Sequence, residues 1–163
     1  MRVLSGTENN VHYGGNELLK PEKIVSNPAL YSPLTLALVG DAVYELYVRT
    51  RLLENENVLA HKVHKRAIAY VCASGQAESV KKIIDILTEA EMAVYKRGRN
   101  AKSPTVPKNA DVTEYRCATG FEALMGYLYL GGWHERLNEL MSVSFNAVSE
   151  KIKNKKISGT SGN

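Results

Sequence analysis

The chain has 163 residues, which is enough for one domain with a sizeable core and few for two. Its 44% hydrophobic and 23% charged content is ordinary for a globular protein, and no uncharged apolar run is long enough to span a membrane. Two cysteines make a disulfide framework improbable, and a net charge of +4 only weakly favours a polyanionic partner. With no signal-peptide pattern at its start, we expect a cytoplasmic protein without a membrane partner.

Hydrophobic periodicity divides the chain into three parts. Residues 1–27 lack a strong period and are predicted to form a flexible N-terminal extension. Residues 28–153 carry helical periodicity with little of the alternation typical of strands, so we predict one all-α domain that ends with an amphipathic helix from His134 to about Lys153. The lysines and the Ser/Gly-rich end of residues 154–163 are expected to form a disordered tail.

The first long helix is predicted to start at Ser32-Pro33 and to run to about Leu53. Asp41 is the only charged residue between Lys23 and Glu45, and the predicted helix around it has apolar residues on every face. An ionised carboxylate in such surroundings is costly unless a cation or hydrogen bonds compensate it. Asp41 is therefore either a structural group that pairs with a basic side chain or caps a helix, or a functional one.

The middle of the chain is predicted to form three helices. Residues 58–85 have a helical pattern with a break near Ser74-Gly75, and their first part is basic and includes Lys65 and Arg66. Thr88, followed by Glu91 at capping-box spacing, is predicted to start another helix that ends near Arg97-Gly98.

A basic segment follows at residues 96–108. It holds five basic residues and no acid, and its two prolines and one glycine favour a loop. Such a loop is either a solvated surface or a clamp for the phosphates of a nucleic acid, which carry no sequence information. Its basic residues are Lys96, Arg97, Arg99, Lys102 and Lys108.

The next helix, from the predicted cap Asp111 to about Leu130, contains the second isolated carboxylate. Glu122 is the only charge in residues 117–133 and has small residues on its helix face, as Asp41 has on its own. Because small residues let helices approach closely, the two faces are expected to pack and to bring Asp41 beside Glu122. Two carboxylates that close would raise one pKa or recruit a divalent cation, for which oxygen ligands suit Mg²⁺ or Mn²⁺.

Two motifs in order carry a family resemblance. The segment G-D-A-V-Y-E-L at 40–46 resembles the signature helix of the ribonuclease III catalytic domain, and F-E-A-L-M-G-Y-L-Y-L-G-G at 121–132 resembles its second acidic helix. Between them, R-G-R-N-A-K at 97–102 and V-P-K at 106–108 resemble the Mini-III subgroup, which lacks a separate double-stranded-RNA-binding domain. The resemblance covers roughly residues 30–153.

The resemblance implies an all-helical homodimer that hydrolyses double-stranded RNA with Mg²⁺, or with Mn²⁺ in its place, and that matures the large-subunit (23S) ribosomal RNA precursor. Asp41 and Glu122 would be its catalytic metal ligands, with water as the attacking group. The larger enzymes have carboxylates where this chain has Ala37 and Thr119, so we expect one tightly held metal and a second recruited by RNA phosphate. The domain must also supply its own RNA grip, which we assign to Lys65, Arg66, Arg97, Arg99, Lys102 and Lys108.

Two further expectations concern the first acidic helix. Glu45 is expected to pair with Arg49, one turn on, rather than to support the metal. The two acidic helices are hydrophobic nearly all round, which favours a dimer interface that covers the excess apolar surface.

Two other functions are compatible with the sequence. One is a catalytically silent member of the family that binds or scaffolds structured RNA. The other is a helical metal-dependent hydrolase of small nucleotides, against which the basic loop argues.

Overall fold

A computed structural model of the chain describes residues 23–54, 59–102, 109 and 111–160. Within these residues the fold is all-α, with short 3₁₀ turns at Pro28–Leu30 and Ile84–Ile86. Lys108 of the predicted RNA grip and most of the predicted N-terminal extension lie outside the described residues. The helices are α1 (Pro33–Leu53), α2 (Ala60–Val71), α3 (Ala73–Ile83), α4 (Glu89–Arg99), α5 (Val112–Leu130) and α6 (His134–Thr160).

Side-chain caps fix the starts of three helices where the sequence predicts them. Ser32, the residue before Pro33, accepts a hydrogen bond from the Thr35 amide with its side chain. The first helix therefore starts at Ser32-Pro33, as predicted. Thr88 and Glu91 form the predicted capping box at the start of α4. Asp111 accepts from the second and third amides of α5 at 2.7 and 3.1 Å, which confirms it as the cap of that helix. Capping satisfies amides that would otherwise lack partners at each helix start.

Helix α5 lies at the centre of the bundle and packs against α1, α3, α4 and α6. Its side chains Phe121, Leu124 and Met125 are completely buried. The ring of Tyr44 from α1 meets Phe121 edge to face, with 4.8 Å between ring centroids. Each such buried side chain contributes about 1.5–3 kcal/mol to folding, so α5 organises the core.

Two glycines allow α1 and α5 to approach almost to backbone contact. A Cβ atom at Gly40 would overlap the backbone oxygen of Glu122, and one at Gly126 would overlap the backbone oxygen of Leu36. The close packing predicted from the small residues on both helix faces is therefore confirmed. It fixes the backbone that carries Glu122 against the helix that carries Asp41.

The break between α2 and α3 falls at Cys72, whose extended backbone separates the helices, and not at the predicted Ser74-Gly75. Gly75 lies inside α3 instead, because a Cβ atom there would overlap the backbone oxygen of Ala69. The glycine serves the tight crossing of two helices rather than a chain break.

The predicted end of α4 near Arg97-Gly98 is confirmed to within two residues, but the loop predicted for residues 96–108 starts too early and the predicted end of α6 is wrong. Helix α4 continues through Arg99, so Lys96, Arg97 and Arg99 lie on a helix and not in a loop. Gly98 does not end this helix, because it packs against Gly120 and Ala123 of α5 and leaves room for that contact. Helix α6 continues to Thr160 rather than ending near Lys153, so residues 154–160, which were predicted to be disordered, are helical here.

The apolar composition of α1 suggested burial on all sides, but one side of the helix is exposed. Leu34, Leu38, Leu46 and Leu53 are exposed on the side of α1 away from the core, a stripe that also carries the Glu45–Arg49 ion pair, and Leu38 is 75% exposed. The opposite face, which includes Tyr44 and Val48, is fully buried. A single chain therefore leaves an apolar stripe of α1 in contact with water.

Candidate active site

Asp41 lies at the border between the buried face and the exposed stripe of α1, and its side chain reaches solvent. Glu122 is largely covered, on the face of α5 that packs against α1. The two carboxylates are close enough for the charge of Asp41 to act on Glu122. The structure thus brings together the two acidic residues that the sequence singles out.

The electrostatics of the pair are those of two uncompensated negative charges. Burial, and next repulsion from Asp41, raises the pKa of Glu122 to about 7, although the Gln76 amide opposes this shift. Partial loss of water around Asp41, and next repulsion from Glu45, raises the pKa of Asp41 as well, although one side of its carboxylate still reaches solvent. These surroundings therefore favour either a protonated carboxyl group or a cation bound to the pair.

Among the described residues, no salt bridge involves Asp41 or Glu122, so the structural interpretation of Asp41 as an ion-paired group has no support there. Glu45 pairs with Arg49, as predicted. Two carboxylates with raised pKa values and no basic partner form a donor set that fits a hard divalent cation. Across the part of the chain that the structure describes, no cluster of three or more acidic, histidine or cysteine side chains is arranged for a metal.

The positions that depart from the larger enzymes are buried and supply no carboxylate. Ala37 packs in a small apolar cluster with Leu36, Val94 and Ala123. The Thr119 hydroxyl donates to the Tyr115 carbonyl, within its own helix, at 3.1 Å. Neither position therefore adds a carboxylate beside Asp41 and Glu122.

Gln76 on α3 is a polar neighbour of Glu122 that the sequence analysis missed. Its side chain is completely buried, and its amide lies close enough to Glu122 to oppose the rise in the pKa of that carboxyl, although neither amide atom makes a hydrogen bond of full geometry among the described residues. In the sequence it sits among small and polar residues, A-S-G-Q-A-E, which give no sign that it faces an acidic residue of another helix.

The described basic residues of the predicted RNA grip occupy two helices and one connection. Lys65 and Arg66 are exposed on α2, while Arg97 and Arg99 lie in the last turn of α4 and Lys102 follows it. The Arg97 guanidinium donates to the backbone oxygens of Ala29 and Tyr31, at 2.7 and 3.2 Å. Arg97 therefore holds the segment before α1 in addition to any contact with RNA.

The side chain of Arg99 lies over the ring of Tyr95, 5.9 Å from its centroid, and remains partly exposed. Lys102 is exposed.

In the described part of the chain, no helix is both long enough and apolar enough to cross a membrane.

Comparison with known proteins agrees with this arrangement. The family model of the ribonuclease III domain matches residues 34–132, a range that includes both carboxylates. Mini-ribonuclease 3 of a Thermoanaerobacter species is 49% identical over 134 residues, which are 82% of this chain and 92% of that protein. Mini-ribonuclease 3 of Enterococcus faecalis is 50% identical over 119 residues, which are 72% of this chain and 90% of that protein.

A solved structure extends the comparison to the fold. The crystal structure of a Fusobacterium nucleatum protein superposes with a TM-score of 0.67 at 34% sequence identity, covering 74% of this chain and 98% of that one. The all-helical architecture, the matched domain and the relatives agree. The chain belongs to the Mini-III subgroup of the ribonuclease III family, a family of endoribonucleases.

Proposed function

We propose that this endoribonuclease cleaves double-stranded RNA at a divalent-cation site formed by Asp41 and Glu122, with Mg²⁺ as the natural ion and Mn²⁺ as a substitute. The observation that carries the proposal is the pair of uncompensated carboxylates at the α1–α5 contact. A cation held by both residues would relieve this repulsion. Binding of the cation therefore favours the ionised form of both groups.

In the reaction, a bound Mg²⁺ would lower the pKa of an attacking water and offset the charge that develops on the scissile phosphate. Asp41, on the solvent side, and Glu122, on the covered side, would hold the ion from two helices that cannot separate without breaking the core. Ala37 and Thr119 add no ligand, so we infer one tightly held ion and a second recruited by the RNA phosphate.

The RNA grip is proposed to combine the basic residues of α2 with those at the end of α4. Contacts from lysine and arginine to phosphates give affinity without sequence preference, which suits a nuclease for duplex RNA. Because the two groups lie on different helices, they would contact separate stretches of backbone. The proposed contacts are Lys65, Arg66, Arg97, Arg99, Lys102 and Lys108.

We also propose that the protein acts as a homodimer in the cytoplasm. The exposed leucines of α1 supply an apolar stripe that a second copy would cover, and Asp41 borders that stripe. A two-fold axis there would present two carboxylate pairs to the two strands of one duplex.

The names of the relatives, Mini-ribonuclease 3, support ribonuclease activity, and we propose the 23S ribosomal RNA precursor as the natural substrate.

The direct test is incubation of the purified protein with a long RNA duplex and, separately, with each of its single strands. We expect Mg²⁺-dependent shortening of the duplex, no cleavage with chelator, and little cleavage of the single strands. Tight binding of the duplex without cleavage in Mg²⁺ or Mn²⁺ would favour the rival, a catalytically silent RNA-binding member. The specific observation that favours this alternative is that Ala37 and Thr119 stand where the larger enzymes have carboxylates.

A further inference from the structure

A group of buried polar side chains lies between α1, α3 and α6, away from the solvent side of the carboxylate pair. Gln76 and Ser144 are completely buried, and so is the ring of Tyr44. Both polar atoms of the Gln76 amide, the Tyr44 hydroxyl and the Ser144 hydroxyl lack a partner with full hydrogen-bond geometry among the described residues. A buried polar atom without a partner is expensive, so each of these groups needs an explanation.

Gln76 differs from the other two because a carboxylate lies beside it. Its amide is near enough to Glu122 to act on that group by hydrogen bonding. Of the two ends of the amide, only the NH₂ group attracts a carboxylate, since the carbonyl end would repel it. The buried amide therefore has a favourable neighbour in Glu122, which is a proposed metal ligand.

The helix that carries Gln76 is held in place on both sides of it. Ser79, one turn along α3, donates to the Gly75 oxygen at 3.1 Å and lies 3.4 Å from the Ser144 oxygen of α6. Gly75 itself packs tightly against the backbone of α2. The amide is therefore presented to Glu122 from a rigid support, as a group that orients a metal ligand must be.

We propose that Gln76 is a positioning residue, whose amide donates to the Glu122 carboxylate and holds it in the orientation in which Glu122 and Asp41 share one divalent cation. This inference rests on the proposed function of the carboxylate pair. A carboxylate can accept one such bond and still offer lone pairs to a metal. Since Gln76 is fully covered and Asp41 is exposed, the ion would enter from the Asp41 side and meet a Glu122 already held from behind.

The test is direct Mn²⁺ binding to the RNA-free protein, followed by electron paramagnetic resonance, for the wild type, Gln76→Met and Tyr44→Phe. Methionine matches glutamine in size but cannot hydrogen-bond, so we expect Gln76→Met to bind Mn²⁺ about 10-fold or more weakly. Its melting temperature should be unchanged or higher, because two poorly satisfied buried atoms are removed. Tyr44→Phe also removes a buried polar atom but leaves Gln76 and Glu122 intact, and should bind Mn²⁺ as the wild type does.

The two readouts separate positioning from packing. Wild-type Mn²⁺ affinity in Gln76→Met, or an equal loss in Tyr44→Phe, would overturn the proposal. Gln76→Leu serves as a second variant, and the same loss of affinity in both folded variants would support it. If the wild type binds no Mn²⁺ and cleaves no duplex, the proposed function fails and the positioning role with it. If the wild type binds Mn²⁺ and Gln76→Met binds it equally well, only the positioning role fails.

Discussion

Folding places the Glu122 carboxylate in surroundings that disfavour its charged form. The hydrophobic α5 helix lies at the centre of the core, and this position removes water from Glu122 in the middle of the helix. Burial and the charge of Asp41 then raise the pKa of that group to about 7, against an ordinary value of 4.5. In the absence of a cation the ionised site therefore destabilises the fold near neutral pH, and a bound cation reverses that effect.

The metal-free protein should accordingly lose stability as the pH rises from about 4.5 to above 7. The folded state binds a proton at Glu122 more tightly than the unfolded state does, so this group stabilises the fold at low pH only. The loss is on the order of 3 kcal/mol. In Glu122→Gln we expect this part of the decline to vanish and the free energy of unfolding above pH 7 to rise.

Urea denaturation of both proteins at several pH values, with chelator, measures this difference. Glu54→Gln is the matched control, since Glu54 ends α1 in a salt bridge with Arg51, far along the helix from Asp41. Added Mg²⁺ should stabilise the wild type but not Glu122→Gln. Identical pH dependences in Glu122→Gln and the wild type would show that Glu122 is not perturbed.

At the scale of helices, the site depends on the close crossing of α1 and α5. Gly40 and Gly126 make this crossing possible, and Glu122 lies one turn before Gly126. Any added side chain at these positions must push the two backbones apart. Such a shift would also separate Asp41 from Glu122.

Gly126→Ala tests this dependence. Alanine normally stabilises a helix interior by about 1 kcal/mol relative to glycine. Here we expect a net loss of at least about 1–3 kcal/mol, because the new Cβ overlaps the Leu36 oxygen. Denaturant unfolding gives this change, and Ala42→Gly, at an exposed position of α1, calibrates the propensity term. A Gly126→Ala variant more stable than the wild type would contradict the tight crossing.

The basic residues on two helices lead to a prediction about salt. Replacing Lys65 and Lys102 by alanine should weaken the binding of all duplex sequences similarly. It should reduce the slope of log affinity against log salt by roughly 0.7–0.9 per lost phosphate contact. Fluorescence anisotropy in Ca²⁺, at several salt concentrations, gives the slope. Lys81→Ala is the control, because Lys81 pairs with Glu78, and a double variant with the wild-type slope would place the grip elsewhere.

The helices themselves were largely predictable because caps and periodicity are local signals. Ser32, Thr88 and Asp111 start helices where their side chains can bond the next amides. The glycines at 75 and 98 misled the prediction, since each provides space for a neighbouring helix inside a continuous one. A sequence alone shows that a glycine is needed but not whether a turn or a crossing needs it.

The site was predictable in part for the same reason. Small residues around Asp41 and Glu122 indicated the faces that pack, which gave the carboxylate pair. Gln76 was not predictable, because which buried polar group faces a given carboxylate depends on how α3 lies against α5. The second role of Arg97 was also hidden, since its partners lie about 66 residues earlier in the chain.

At the scale of the whole molecule, the exposed leucines of α1 matter most because they lie on the same helix as Asp41. Leu38 and Leu46 are 75% and 47% exposed, although they belong to one of the two strongly apolar helices, α1 and α5. An exposed apolar stripe beside a functional residue is typical of an interface. We therefore expect dimerisation and catalysis to depend on the same helix.

Leu38→Glu should convert the protein to a monomer, because it places a charge in the centre of the proposed interface. Sedimentation at micromolar concentration should give the 18.0 kDa chain mass for the variant and about twice that mass for the wild type. Ile68→Glu, which alters an exposed apolar residue of α2, is the control and should remain dimeric. A wild type of 18.0 kDa that cleaves both strands would rule out the dimer.

Asp41 and Glu122 are proposed to act together through a bound metal ion in RNA cleavage. Cleavage of one long duplex in Mg²⁺ by the wild type, Asp41→Asn and Glu122→Gln tests this joint role most directly. We expect each variant to lose cleavage by a factor of about 10³ or more, a loss of about 4 kcal/mol in transition-state stabilisation. Each should keep a melting temperature at or above that of the metal-free wild type. Either variant cleaving at the wild-type rate would contradict the account.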